Sequence, residues 1–442
     1  MSTATQFVTH SGVLDRLREA RRQTDSLFKI VRPEALYDRP IGERHRIIFY
    51  IGHLEAFDWN LFRDRMLPLD VFDALLDRLF AFGIDPVDGG LPSDQPSDWP
   101  SVEEVQDYVR RVRSSIDDGI DRLDTTRAGD FEFPPNQLLN VAIEHRLMHA
   151  ETLAYMFHQL PFSKKLAPYG PGLILSHSFY PEMCRIPAGR ATLGLPRNSV
   201  VFGWDNEFEE QPVDVPAFDI DRYMVTNAEY LDFITAGGYT NASLWKDSDW
   251  QWRNAHSIEH PVFWKRVEGG WVYRTMFQKI PLPLDWPVYV SHAEASAYAK
   301  WAGKRLPTEA EWHRAAYADV DGAERQFPWG SAAPSNKRGN FDFDRWDATP
   351  VGSFPHGESA FGVSDLIGNG WEWTSTLFSP LNGFSAFPFY RGYSADFFDG
   401  KHYVIKGGSA RTAASMLRRS FRNWFQPHYQ YVYAGFRCVR EL

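Results

Sequence analysis

Cysteine is nearly absent. The chain has two, Cys184 and Cys438, too few for a disulfide framework or a four-thiolate metal site. Long apolar runs are missing as well, so no segment reaches bilayer-spanning length. The opening MSTATQFVTHSG carries no apolar core of an export signal. No block of basic residues stands out, and the net charge is −10, which argues against a polyanionic partner. There is no internal repeat and no low-complexity tract. These absences lead us to expect a cytoplasmic protein with no nucleic-acid partner and no membrane partner.

What is present is aromatic. The hydrophobic fraction is an ordinary 43%, but 15% of the residues are Phe, Trp or Tyr, with 16 Trp. Such wealth fills large cores, and it also walls pockets for flat or cationic ligands. With 442 residues the chain can form two or three domains, each with its own core. Residues 11 to about 162 read as helical, in segments beginning GVLDRL, ERHRII, LDVFDA, SVEEVQ and PNQLLN. Ser101 followed by Glu104 is a capping-box pattern that opens one of them. Four long helices with modest connections suggest a bundle. GLPSDQPSDWP (90–100) is a Pro- and Ser-rich loop. Beyond about residue 181 Gly, Pro, Trp and short β-like runs such as RATLGL, YVIKGG and GFRCVREL dominate. Short helices (NAEYLDFITAGG, and HAEASAYAKWAG followed by TEAEWHRAAY) interrupt them. The expected organisation is a helical domain over 1–163, a linker over 164–181 and an irregular α+β domain over 182–442.

Histidine supplies the first chemical signal. His145 and His149 are spaced i, i+4, so a helix sets both imidazoles on one face within reach of a single ion. Their helix is otherwise apolar, with Leu138, Leu139, Val141, Ile143, Leu147 and Met156 around them. His53 lies in a similar apolar stretch, FYIGHLEAF. Facing helices of a bundle are a known place for a metal, and three imidazoles leave coordination positions open. Spacing alone leaves His45 and His158 as competitors for the third position.

The C-terminal half resembles the formylglycine-generating-enzyme-like (sulfatase-modifying-factor) domain. The matching segments include RIPAGRATLG, KRLPTEAEWHRAAY, FGVSDLIGNGWEWT, IKGGSA, SFRNWF and GFRCVR, in order across residues 185–440. The resemblance implies a C-type-lectin-like variant with little regular structure, sometimes carrying structural Ca2+. The N-terminal half looks like a DinB-type four-helix bundle. The layout is similar to that of ergothioneine-pathway sulfoxide synthases of the EgtB type, which share it with ovothiol synthases and with selenoneine synthases (SenA-like). In that family a His from an early helix and an HxxxH pair from a later one bind Fe(II). GHLEAFDWNLF supplies His53, and EHRLMHAE supplies His145 and His149. The implied reaction uses O2 to join sulfur or selenium to an imidazole carbon, which is C2 of hercynine (trimethylated histidine) in the ergothioneine and selenoneine members.

Three positions depart from the family pattern. Met148 stands where many ergothioneine enzymes carry Gln, Leu381 where a tyrosine acid is expected, and Phe425 where some carry Asp. Polar groups are thus replaced by apolar ones at expected substrate contacts. That favours the selenoneine branch, with subfamily drift as the other explanation. Asn423 and Trp424, in the same SFRNWF stretch as Phe425, match residues that help bind hercynine, and a Trp face suits a trimethylammonium. Arg110 and Arg111 are candidates for a carboxylate-bearing donor such as γ-glutamylcysteine or cysteine. A selenosugar donor would call for hydroxyl partners instead. Tyr50, Tyr108 and Tyr429 are candidate proton donors. Two rival readings are a zinc-dependent DinB-type thiol transferase and a non-catalytic lectin-like binding module. Formylglycine generation needs a cysteine pair near the C-terminus, where only Cys438 lies.

Overall fold

The computed structural model describes residues 10–63, 65–81, 92–123, 131–168, 170–174, 176 and 179–442. The chain divides into two compact units, Met1–Pro168 and Tyr169–Leu442. Parts of the expected 90–100 loop (residues 90 and 91) and of the expected linker (169, 175, 177 and 178) lie outside the described residues, as does the stretch 1–9 read for an export signal.

The first unit is a bundle of four long helices, α1 (His10–Phe28), α2 (Ile47–Phe62), α4 (Val102–Asp121) and α5 (Pro135–Gln159), with a short α3 (Ala74–Leu79) between α2 and α4. Helix α1 packs on α5, and α2 packs on both α4 and α5. Helix α2 is apolar nearly all round, so most of it is buried, from Ile47 and Phe49 to Trp59 and Phe62. Helix α4 keeps one apolar stripe, Val105, Tyr108, Val112, Ile116 and Ile120, at intervals of three and four. It opens with the expected capping box. Ser101 Oγ accepts from the Glu104 amide at 3.2 Å, and the Glu104 carboxylate accepts from the Ser101 amide at 2.8 Å. The LDVFDA segment is helical over a shorter span than its pattern suggests. The Asp73 side chain accepts from the Leu76 amide at 3.0 Å, which caps α3 and leaves residues 69–73 outside it.

The second unit is loop-rich α+β. Its four-stranded sheet has the order β10 (Asn423–Phe425), β9 (Tyr403–Gly408), β8 (Gly370–Leu377), β11 (Ala434–Gly435), with β11 parallel to β8 and the other pairs antiparallel. A second sheet runs β1 (Met183–Ile186), β4 (Phe218–Asp221), β12 (Val439–Glu441). Smaller sheets pair β2 (Gly189–Leu193) with β3 (Gln211–Val215), and β5 (Trp264–Val267) with β6 (Gly270–Arg274) and β7 (Lys279–Pro281). The helices α6 (Asn227–Thr235), α8 (His292–Trp301) and α9 (Glu309–Tyr317) match the expected short helices, while α7 (Asp247–Ala255) had no sequence signal in our reading. A core of Ile186, Phe218, Ile220, Trp312, Phe341, Leu366 and Val439 sits between α9 and the strands.

With so little regular structure, buried side chains tie loop backbones together. Arg437 is completely buried. It donates to both Glu372 oxygens at 2.6 and 2.7 Å and to the carbonyls of Asp221, Arg222 and Ser364 at 2.8–3.0 Å. Arg422, just before β10, donates to Glu309 at 2.9 and 3.1 Å and to the carbonyls of Asn206 and Ser379. Lys406 donates to the Arg419 and Phe421 carbonyls at 3.1 and 2.6 Å. These bonds fix the stretch that ends in Asn423 and Trp424. At Gly407 φ is +95°, and a Cβ there would lie 2.7 Å from the Leu366 carbonyl oxygen, so only glycine suits that strand position.

Candidate metal centre

Helix α2 carries His53 and α5 carries His145 and His149, one turn apart. Among the described residues these three form the one group of His, Cys, Asp or Glu side chains spaced to hold an ion. Their ligand atoms all lie within 4.8 Å of one another. The Nε2 atoms of His145 and His149 are 3.1 Å apart. Two nitrogens bound at right angles to one ion, each about 2.1 Å away, would be separated by roughly 3 Å. The His53 Nδ1–H donates to the Phe80 carbonyl at 2.7 Å. That carbonyl follows the last turn of α3, where helix carbonyls lack intrahelical partners. The bond fixes the tautomer and turns the other ring nitrogen, Nε2, toward the histidine pair.

All three rings are buried. Burial pushes the His53 pKa down to about 4, against the opposing pull of the Phe80 carbonyl. Burial, and then the neighbouring histidines, hold His145 and His149 well below their ordinary value. The rings are therefore neutral at pH 7, the form in which imidazole binds metals. Aromatic walls close the site. Phe57 stacks on His145 with centroids 3.5 Å apart, and Phe49 stacks on His53 at 4.8 Å. Three neutral imidazoles in this arrangement fit a divalent transition ion and leave positions for exogenous ligands.

The other sequence candidates separate by unit. Tyr50 is buried beside the triad, its ring 5.8 Å from that of His149 and 6.5 Å from that of His53. Met148 is half-buried on the same turns of α5. Tyr108 donates to Asp77 at 2.7 Å, and burial together with that carboxylate drives its pKa far above the ordinary phenol value. Arg110 is exposed and pairs with Asp107 on its own helix, while Arg111 is exposed and lies over the Phe72 ring at 4.1 Å. The His45 ring lies tilted against that of Phe49, with centroids 4.3 Å apart. Neither His45 nor His158 belongs to the triad.

In the second unit Asn423, Trp424 and Phe425 form β10. Trp424 stacks face to face on Phe378 at 4.1 Å, with Tyr393 and Phe397 both at 5.5 Å. Phe425 stacks on Tyr429 at 5.2 Å. Leu381 is buried. No further group of three ligating side chains meets the ion spacing among the described residues, so the Ca2+ that the resemblance allows has no assigned ligands.

Sequence reasoning passed over the groups behind the triad. Arg146, next to His145, is completely buried. It donates to Glu55 at 2.9 Å, Asp58 at 2.8 Å and the Leu54 carbonyl at 2.9 Å. Burial alone would raise the Glu55 carboxyl, but Arg146 and Arg113 outweigh it and hold the pKa at about 2. The partial signal was charge within largely apolar helices, Glu55 and Asp58 on α2 and Arg146 on α5, although α5 also buries Glu144 and Glu151.

A family model of the DinB superfamily matches residues 16–153, and one of the sulfatase-modifying factor enzyme 1-like domain matches residues 176–442. The chain is 42% identical over 241 residues to "Hercynine oxygenase" of Mycobacterium tuberculosis, covering 54% of this chain and 56% of that protein. It is 36% identical over 365 residues to "Hercynine oxygenase" of Mycolicibacterium smegmatis, covering 80% of each. It is 30% identical over 507 residues to "Ergothioneine biosynthesis protein 1" of Neurospora crassa, covering 92% of this chain and 55% of that protein. The match thus spans little more than half the length of the first and third relatives.

Proposed function

This chain belongs to the EgtB-like hercynine oxygenase family, which joins a DinB bundle to a sulfatase-modifying-factor-like domain, and on that premise we propose that it is a non-haem Fe(II) enzyme joining a chalcogen donor to C2 of hercynine. The observation that carries the reading is the triad of buried, neutral histidines with converging nitrogens. Fe(II) held there would supply O2 activation and a common centre for donor and acceptor. Joining a thiol or selenol to an imidazole carbon removes one hydrogen from each partner, a two-electron oxidation. Oxidising the joined chalcogen takes two electrons more, so one O2 is consumed with one oxygen atom kept in the sulfoxide or selenoxide and the other leaving as water.

The protein's own contribution is placement and exclusion. His53, His145 and His149 hold the ion, and Phe80 fixes the His53 ring. Phe49 and Phe57 keep water from two of the ligand rings, which strengthens electrostatic effects inside the site. Asn423 can hydrogen-bond a zwitterionic acceptor. The Trp424 indole, held on one face by Phe378, offers its remaining surface to a trimethylammonium. Met148, Leu381 and Phe425 are apolar where ergothioneine enzymes often carry an acceptor-holding Gln, a tyrosine acid and an Asp, so the departures cluster at expected substrate contacts. That supports C–Se bond formation, as in a selenoneine synthase, over C–S bond formation. The test is product analysis with hercynine, O2 and a panel of selenosugar, γ-glutamylcysteine and cysteine donors. A selenium product formed in preference to any sulfur product supports the selenoneine assignment. A sulfoxide formed efficiently from γ-glutamylcysteine rejects it in favour of the sulfur branch.

A further inference from the structure

The histidines come from two helices, so the geometry of the centre depends on how α2 and α5 are set against each other. Helix α5 by itself fixes only the His145–His149 pair. Bringing His53 within 4.8 Å requires a defined slide and rotation between the helices. Apolar packing specifies these loosely, because cores keep their fold under changes of side-chain shape. A forked side chain bonded to several fixed points specifies them closely.

Arg146 makes such a connection. It leaves α5 one residue after His145 and makes three bonds to α2, to the Leu54 carbonyl, Glu55 and Asp58. These are the residues one, two and five positions after His53. Arg113 on α4 then bonds Glu55 at 2.8 and 3.0 Å, and both Asp25 oxygens on α1 at 2.8 Å. All four long helices are tied to one carboxylate cluster. Arg146, Glu55 and Asp58 are each at most 1% exposed. Ion pairs so deeply buried are poor stabilisers compared with apolar side chains of the same volume. Their best-attested use is to specify register.

We propose that Arg146 is the positioning residue of the metal centre, setting the register of α2 on α5 through Leu54, Glu55 and Asp58 so that His53 meets His145 and His149. This rests on the reading of the triad as a metal site. Arg146 touches neither the ion nor a substrate in this account; it acts through the helices.

The test compares Arg146→Lys with Arg21→Lys in the full chain. Lysine keeps the charge of Arg146 but cannot make the three bonds of the fork at once. Arg21 is a control. Its charge acts on the same Glu55 and Asp58 carboxyls, but it is buried in a bond to Asp117 at 2.6 Å that joins α1 to α4, neither of which carries a ligand, so it controls for buried charge without the fork. Metal-free protein is titrated with Co(II). The readouts are the dissociation constant, the visible ligand-field spectrum and the thermal unfolding of the metal-free form. We expect Arg146→Lys to weaken Co(II) binding by about ten- to a hundredfold and to change the spectrum. Arg21→Lys should lower the unfolding temperature while leaving affinity and spectrum unchanged. Equal affinity and spectrum in Arg146→Lys and wild type would overturn the proposal, whatever happens to stability. Should Arg146→Lys fail to fold, Arg146→Met, which removes every donor of the fork while keeping an unbranched stem, replaces it with Co(II) affinity measured at a lower temperature, and wild-type affinity in that variant overturns the proposal equally. If the wild-type chain itself binds no Co(II), the metal-site reading fails, a result distinct from a normal wild type beside an unaffected variant.

Discussion

The two units solve the same problem, holding the candidate site side chains still, by opposite means. In the bundle, regular helices supply the geometry. His145 and His149 face one way because of the helical repeat, and the buried Arg146–Glu55–Asp58 cluster joins α5 to α2. In the second unit the strands around Asn423 and Trp424 are only a few residues long. Their positions depend on arginine and lysine side chains bonded to loop carbonyls, as at Arg437, Arg422 and Lys406. Buried charge therefore does different work in each. It sets helix register in one, and it replaces missing backbone pairing in the other.

The comparison is broken most severely at the ligands. The double variant His145→Ala, His149→Ala should lose stoichiometric metal and all turnover while keeping helical circular dichroism, because the helix does not need those rings. Retained activity would remove the metal centre from the account.

The next largest effect belongs to the second unit. Arg437→Met removes the cation from the fully buried Glu372 carboxylate, which keeps the Trp312 indole N–H at 2.9 Å, and takes a donor from the carbonyls of Asp221, Arg222 and Ser364. The expected destabilisation is about 3–5 kcal/mol, read by denaturant unfolding. A loss below about 1 kcal/mol would show that the loops do not depend on this tether.

Lys406 gives a pH test of the same idea. Burial pulls its ammonium down from 10.5 to about 8, against the attraction of Glu309. The folded value lies below the unfolded one, so between them the unfolded chain binds the extra proton. Raising the pH through that window favours the folded state. Relative to Lys406→Met, wild-type stability should rise by about 2 kcal/mol between roughly pH 7 and 9.5. A flat difference would mean that the buried amine keeps its proton throughout.

The smallest expected effect is at the proposed acceptor contact. Trp424→Ala should raise the KM for hercynine by about 1–2 kcal/mol of lost cation–π contact and leave metal content intact. Histidine, which lacks the methylated cation, should be less affected. Equal weakening of both would assign Trp424 to packing against Phe378.

Much of the bundle was legible because helical periodicity is strong in long apolar segments. The i, i+4 histidines needed only that period, and His53 was singled out from His45 and His158 by the family motif. Arg146 escaped because a charged residue in sequence is read first as a solvated one, and only three-dimensional packing shows that Glu55 and Asp58 surround it. Arg110 and Arg111 were the converse, conspicuous charges that stay on an exposed face. In the second unit α7 was missed because DSDWQWRNA is polar and weakly periodic. Yet Thr226–Glu229, Ser291–Glu294 and Thr308–Glu311 each open a helix with the capping box read at Ser101, so the same signal was available there. The carbonyl-directed bonds of Arg437 and Arg422 have no sequence pattern, since their partners are backbone atoms distant in the chain.

The most direct test of the central claim is oxygen uptake by metal-free protein reloaded with either Fe(II) or Zn(II), with hercynine and a selenium or sulfur donor present. O2 consumption and a C2-chalcogen product are expected with Fe(II) alone, both abolished by His53→Ala. Product formation with Zn(II) and no oxygen uptake would contradict the claim and point to thiol transfer.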